Sequence, residues 1–374
     1  MLKLFEVEGF KNFSHRFVLD FSDMRDYQYN EHCIKDGLLK SGIIYGKNSS
    51  GKSNFSLAVF DIVAHLTGNN VSPGLYDNYN NDVSGGAAAQ FRYVFRFGED
   101  EVDYSYAKIS SKSLAKEKLI LNGKTIMSVG YKMPGFDFYG TWEGLQSLAP
   151  TLNFSFYKDG SVLKYALNNT ALEAEHPLYK MMDFVSRMLW FRSLGENRYI
   201  GYKTSTDDFN RFMLEDTAVL VEFQELLVMA GVEDKIVVGT NADGKKHLYS
   251  IPPKSITGSI PFFATASNGT KALYALFYWT KTAPDTSLLF IDEFDAYYHF
   301  ELSETIVKLL CAMPNTQVIL TSHNTNLLTN RIMRPDCLFI LSPDKLTSFT
   351  NATNRELREG HNLEKLYASG EFYE

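Results

Sequence analysis

Apolar and polar residues alternate along this chain in three rhythms, and each rhythm predicts a different element. Leu2 to Phe21 alternates with a period of two on either side of Gly9-Phe10-Lys11-Asn12-Phe13, which predicts two strands around a turn. Gly42-Ile43-Ile44-Tyr45 predicts a short buried strand running into a Gly/Ser loop. From Asn54 to Leu66, the apolar positions Leu57, Val59, Phe60, Ile62 and Val63 predict a helix. Gly68 to Gly86 is rich in Gly, Asn and Pro and reads as an exposed loop or insertion. Phe91 to Met127 alternates β-formers around turns at Gly98-Glu99-Asp100 and Asn122-Gly123, so an antiparallel sheet is expected. Tyr179 to Phe191 and Asp207 to Ala230 read as helical patches, and Ile256 to Lys281 as a polar loop followed by a helix. Thr286 to Ile291 and Thr316 to Leu320 are almost unbroken apolar runs, as in a parallel sheet covered on both faces. No internal repeat and no sustained heptad occurs. The expected organisation is one α/β unit over residues 1–374, with a mixed or parallel central sheet. Residues 68–130 are expected to form an antiparallel β subdomain with a loop, and residues 150–255 a mainly helical insertion.

Composition narrows the classes. The 374 residues are 45% hydrophobic, enough for a large core, and a net charge of −7 gives no global basic footprint for coating nucleic acid. Three cysteines without a CxxC pair are expected to be buried thiols of a reducing compartment. The opening Met1-Leu2-Lys3-Leu4-Phe5-Glu6-Val7-Glu8 reads as a strand rather than a signal peptide, and no apolar run reaches membrane-spanning length. A cytoplasmic protein without a membrane partner is expected.

Two stretches carry chemistry. Gly46-Lys47-Asn48-Ser49-Ser50-Gly51-Lys52-Ser53 fits G-x-x-x-x-G-K-[ST], between a predicted strand and a predicted helix. Glycines let successive backbone N–H groups converge on phosphate oxygens. Lys52 neutralises the β- and γ-phosphates, Ser53 holds Mg²⁺, and the helix aims its positive end at the anion. Ser287-Leu288-Leu289-Phe290-Ile291-Asp292-Glu293 is an apolar strand ending in two carboxylates, which a buried strand end tolerates only with partners. Asp292 suits Mg²⁺, and Glu293 suits the water that attacks the γ-phosphate. ATP and Mg²⁺ are therefore the expected ligands.

Two further elements are weak alone. Ser267-Asn268-Gly269-Thr270-Lys271 precedes a helix, and by itself Ser267 reads as an ordinary cap. His323, in Thr321-Ser322-His323, falls at the carboxyl end of a predicted strand, where an α/β sheet opens its ligand crevice. The order of the four motifs resembles that of ABC-type ATPases, within them the SMC-like and OLD-like branch of bacterial defence systems. Ser267-Asn268-Gly269-Thr270 is similar to that branch's signature, Ile291-Asp292-Glu293-Phe294-Asp295 with Tyr298-His299 to its Walker B and D-loop, and Thr321-Ser322-His323 to its switch histidine. Gly9-Phe10-Lys11-Asn12-Phe13 resembles the family's opening turn, and Tyr367-Ala368-Ser369-Gly370-Glu371-Phe372 a terminal motif of many members. The resemblance implies a P-loop ABC-ATPase head. It implies that Ser267 and Gly269 contact the γ-phosphate bound by a second protomer, that Asp295 lies at the dimer seam, and that His323 contacts the γ-phosphate. A homodimer or higher homo-oligomer with nucleotides at the interface follows. The coupling glutamine of the family is either Gln90 or Gln146.

The chain lacks the long coiled coil of chromosome-tethering members. The stretch after His323 is too short for a Toprim nuclease domain, and no H-x-N-H or zinc pattern occurs. No intrinsic nuclease is therefore expected. The leading expectation is an ATPase switch or sensor of an anti-phage or abortive-infection system, resembling the ATPase subunits of the PARIS and Septu systems. Its implied partners are a separate effector, a Toprim or HNH nuclease, and a phage protein or nucleic acid as trigger. The alternative is a DNA-repair or recombination ATPase of the RecF kind, for which Lys108, Lys112, Lys116 and Lys118 make the one local basic cluster. Against it stands the plainer reading of those lysines as a solvated hairpin.

Overall fold

In a computed structural model of the chain, residues 1–372 are described apart from 85–86, 133–136, 154–159, 194–197, 203–210 and 257. The unbroken apolar runs meet in one sheet. Five parallel strands lie in the order Leu338–Leu341, Ser41–Tyr45, Gln317–Thr321, Leu288–Asp292 and Met188–Arg192. Strands buried on both faces need apolar side chains at every position, and almost every residue of these five is buried. The edges are closed by antiparallel pairs, Leu346–Ser348 on one side and Tyr199–Gly201 with Asn70–Val71 on the other.

The alternating segments build a second, antiparallel sheet. Leu2–Glu8 pairs with Phe17–Asp20 on one side and with Ala89–Phe97 on the other, and the meander continues through Asp100–Ser110, Ser113–Leu121, Lys124–Lys132 and Asp137–Thr141. The amino-terminal strands are thus part of the same sheet as residues 89–141. Fully buried Gln317 ties the two sheets together. Its Oε1 accepts from the Leu2 amide (3.2 Å), and its Nε2 donates to the carbonyls of Leu2 and Leu39 (3.0 and 3.1 Å).

The helix Lys52–Leu66 is sandwiched between the sheets and holds a polar network in the core. Asp61 accepts from Lys108 Nζ (2.6 Å), Tyr79 (2.7 Å) and Tyr106 (2.8 Å). Glu117 accepts from Tyr104 (2.5 Å), the Val162 amide (2.9 Å) and the Ser161 and Tyr131 hydroxyls. A charge in an apolar interior persists only when its lone pairs are satisfied, and losing one partner of such a pair typically costs about 3–5 kcal/mol. Lys108 is therefore not part of a basic surface. The expected four-lysine cluster reduces to the exposed Lys112, Lys116 and Lys118, because Lys108 is buried against Asp61 and Tyr106.

Three further expectations are refined. The stretch from Gly68 is largely loop but only partly exposed: Asn70–Val71 is an edge strand, and Leu75 and Tyr79 are buried, Tyr79 edge-on to Phe10. The patch Tyr179 to Phe191 divides into a helix, Pro177–Ser186, and the strand Met188–Arg192. A short apolar run has no periodicity to separate strand from buried helix, and pairing with Leu288–Asp292 decides it. Residues 150–255, expected to be a mainly helical insertion, hold strands beside their helices. They contribute a strand to the central sheet and a hairpin, Lys235–Thr240 with Lys246–Ile251, beside the helix Thr217–Met229. Residues 207–210 of the second helical patch lie outside the described residues. Among the described residues no helix is long and apolar enough to cross a membrane.

Candidate nucleotide site

The parallel strands end together, and the loops leaving them form a pocket lined by Asn48, Ser49, Ser50, Gly51, Lys52, Ser53, Glu293 and His323, with Asn12 and Asn54 on its rim. Ser41–Tyr45 delivers the glycine-rich loop, Leu288–Asp292 the two carboxylates, and Gln317–Thr321 the histidine. Residues far apart in sequence converge because neighbouring strands of one sheet end at the same level.

The loop is shaped for an anion. At Gly46 an added Cβ would lie 2.6 Å from Ser50 Oγ and 2.7 Å from the Leu341 carbonyl, so nothing larger fits. Ser49 and Gly51 have positive φ (62° and 99°), turning the backbone so that the helix begins at Lys52 with no side-chain cap and no acid in its first turn. The free amides there are available to phosphate oxygens. Lys52 is buried, and its Nζ donates to the carbonyls of Gly46 (2.9 Å) and Lys47 (3.3 Å). Burial pushes its pKa down from the ordinary lysine value, while Asp292 and Glu293 pull it back up.

Asp292 is fully buried. Its Oδ1 accepts from Thr321 Oγ1 at 2.8 Å, while its Oδ2 is buried without a hydrogen-bond partner. Burial raises its pKa, opposed by the hydroxyls of Ser53 and Thr321 and by the charge of Arg192. A buried carboxylate oxygen without a donor, beside the Ser53 hydroxyl, is a fitting donor set for Mg²⁺, which takes one or two protein oxygens and completes its shell with phosphate and water. Glu293 follows with φ 52°, uncommon for a non-glycine residue, and its amide donates to Thr321 Oγ1 at 2.7 Å. Such a backbone costs on the order of 1–3 kcal/mol and persists where neighbours over-determine it. His323 is exposed at the pocket, and its pKa is lowered, first by desolvation and then by the charge of Lys52, which favours the neutral ring.

Ser267 and Gly269 do not line this pocket. Ser267 Oγ accepts from the Thr270 amide (3.1 Å) and caps the helix Asn268–Thr282, while a Cβ on Gly269 would stand 3.2 Å from the Tyr297 carbonyl. Asp295 is buried, and Ser322 donates to it at 2.6 Å. Gln90 and Gln146 lie away from the pocket. Gln90 is exposed on the antiparallel sheet, and Gln146 donates to the carbonyls of Ala149 and Leu152.

Two residues at the site were not anticipated. Asn12, in the opening turn, packs against Gly51 and accepts from Asn54 Nδ2 at 2.7 Å. Arg192 ends the strand beside Leu288–Asp292 and donates to Glu293 Oε2 at 2.9 Å, with its Nε 3.5 Å from Asp292 Oδ2. The signal for Arg192 was a lone cation closing an apolar run.

A glycine-rich loop on a strand and helix, facing an acidic strand end across a parallel sheet, defines a P-loop ATPase head. The family model described as "AAA domain, putative AbiEii toxin, Type IV TA system" matches residues 43–329, and the chain belongs to that family. Among solved structures it is similar to the SMC head domain from Thermotoga maritima (15% identity, TM-score 0.43), covering 93% of this chain and 98% of that one. It is similar also to an SMC head bound to the C-terminal winged-helix domain of ScpA (16%, TM-score 0.45, covering 93% and 97%). A third likeness is to an SMC head with an extended coiled coil bound to the C-terminal domain of ScpA, derived from Pyrococcus furiosus (14%, TM-score 0.43, covering 93% and 96%). No match was found among curated proteins.

Proposed function

We propose that the chain is an ATP-binding and ATP-hydrolysing switch that closes as a dimer around its nucleotides, in a bacterial anti-phage or abortive-infection system resembling PARIS or Septu. Its effector is a separate polypeptide, a nuclease of the Toprim or HNH kind. The convergence of Lys52, Glu293 and His323 on one pocket carries the ATPase reading. Lys52 would give up its carbonyl partners for phosphate oxygens, and the amides of residues 49–53 would hold the β-phosphate. Ser53 and Asp292 would hold Mg²⁺, which supplies positive charge to the phosphates. Glu293 would orient the attacking water and accept its proton, and neutral His323 would hydrogen-bond the γ-phosphate. The family description, with its toxin and type IV toxin–antitoxin terms, supports the defence setting.

The position of Ser267 and Gly269 supports the dimeric reading. Ser267 and Gly269 stand outside the pocket of their own chain, and at the start of their helix they would complete a partner's pocket, in a two-fold arrangement with two nucleotides. Asn48→Cys and Asn268→Cys, both at exposed positions, test this, since the native cysteines are all buried. Mixed single-cysteine variants, each carrying Glu293→Gln, are expected to cross-link between chains only with ATP. Cross-links confined to one chain carrying both cysteines, or none with ATP, would rule out the shared site.

The defence reading is tested in cells carrying the gene with its neighbours. Lys52→Ala is expected to abolish protection against phage infection. Full protection by the variant, or none by the parent gene, would sink the reading.

A further inference from the structure

We propose that Arg192 is the positioning residue that holds the Glu293 carboxylate in its working direction. The proposal rests on the reading of Glu293 as the group that orients the attacking water.

Glu293 is poorly fixed by its own segment. It stands one residue beyond the strand, with a backbone turned to φ 52°, and its amide is pinned by Thr321 while its carboxylate is left partly exposed. A glutamate side chain has three rotatable bonds, and an unpinned one spreads over several rotamers, few of which face a nucleophile. The carboxylate accepts a hydrogen bond from Arg192 Nη2 at 2.9 Å, a length typical of a charge-assisted contact.

Arg192 is well placed to act as such an anchor. Its strand pairs with Leu288–Asp292 in parallel register, with Arg192 opposite Asp292, so both chains deliver their last residues to the same level. The Ser193 amide closes the pairing on the Asp292 carbonyl at 3.1 Å. Two residues back, Trp190 Nε1 donates to Ser56 Oγ on the helix that begins with Lys52, and Ser56 donates to the Ser53 carbonyl. The strand carrying the arginine is thereby bonded to the first turn of the phosphate-binding helix.

The guanidinium pairs with both carboxylates but hydrogen-bonds Glu293 rather than Asp292. Its Nε and Asp292 Oδ2 are both buried without hydrogen-bond partners, yet stand 3.5 Å apart, too far for a strong bond. That leaves the Asp292 oxygen available to a metal while the neighbouring carboxylate is held. A planar guanidinium fixes direction in a way that an ammonium does not, so lysine should replace it only in part.

A double-mutant cycle on the full chain with Mg-ATP separates this role from direct contact with phosphate. Arg192→Met is expected to lower kcat by about 10–100-fold, the scale of a misplaced catalytic group, with KM for ATP changed by less than about threefold. Arg192→Lys should recover part of the loss. In the Glu293→Gln background, Arg192→Met should change the residual rate by less than about twofold, because the group it positions no longer acts. Arg192→Gln at a wild-type melting temperature should show the same loss, which separates the effect from unfolding. A full multiplicative loss in the double variant, or a rise in KM with kcat unchanged, would overturn the proposal. A normal kcat in Arg192→Met, with Glu293→Gln crippled, overturns it while leaving the ATPase reading intact. If Glu293→Gln itself hydrolyses ATP normally, the reading of Glu293 fails and the role of Arg192 fails with it.

Discussion

Glu293→Gln is expected to bind ATP with near wild-type affinity and to hydrolyse it at least about 100-fold more slowly, the usual contribution of a positioned general base. The amide has the shape of the carboxylate and can still accept the bond from Arg192 Nη2 through its oxygen, so the pocket should keep its form. It cannot take a proton from water. The ATP-bound form should therefore persist, and a dimer closed around nucleotide should accumulate where the wild type cycles through it. Phosphate release under single turnover gives the rate, and light scattering with and without ATP gives the assembly. Unchanged turnover would show that another residue activates the water. Slow turnover without any larger species would separate the chemistry from dimer closure.

Lys52→Ala should weaken ATP binding by at least about 100-fold, matching the 2–5 kcal/mol that truncating one partner of a buried charge pair typically costs. In the structure its amine is desolvated, lies in the field of Asp292 and Glu293, and is aimed by the Gly46 and Lys47 carbonyls. Alanine removes the main positive charge the loop offers to the phosphates and leaves the two carboxylates to repel them. The fold should survive, since the Lys52–Leu66 helix is held by Phe55, Val59, Ile62 and other buried residues rather than by Lys52. Titration with a labelled ATP analogue, beside a melting curve, checks both. Near wild-type affinity in a folded variant would remove the glycine-rich loop from the nucleotide site.

The amino-acid sequence by itself determined where the glycine-rich loop and the acidic strand end lie. A phosphate cradle needs glycines, a lysine and a hydroxyl at fixed neighbouring positions, so the motif is written locally and is legible without the fold. The alternation of Phe91 to Met127 likewise determined an antiparallel sheet and that of Leu2 to Phe21 a pair of strands, since a half-buried strand must change polarity at every residue, while only the pairing of Leu2–Glu8 with Ala89–Phe97 joined the two. Ser267 as a helix cap was equally local, and its Oγ accepts from Thr270 as such a residue should. What depended on distant partners was hidden. Met188–Arg192 is as apolar as a buried helical turn, and it became a strand only because Leu288–Asp292 offered it unpaired backbone groups. That pairing placed Arg192 beside Glu293, about a hundred residues away in sequence. Lys108 looked like a surface lysine in a polar hairpin until Asp61, on another element, gave it a buried counter-charge. Asn12 likewise reached Gly51 only through the packing of the opening turn on the phosphate loop. Local motifs follow from the backbone geometry that a ligand demands. The choice of which cation meets which carboxylate belongs to strand order and packing, and these are decided by the whole chain at once.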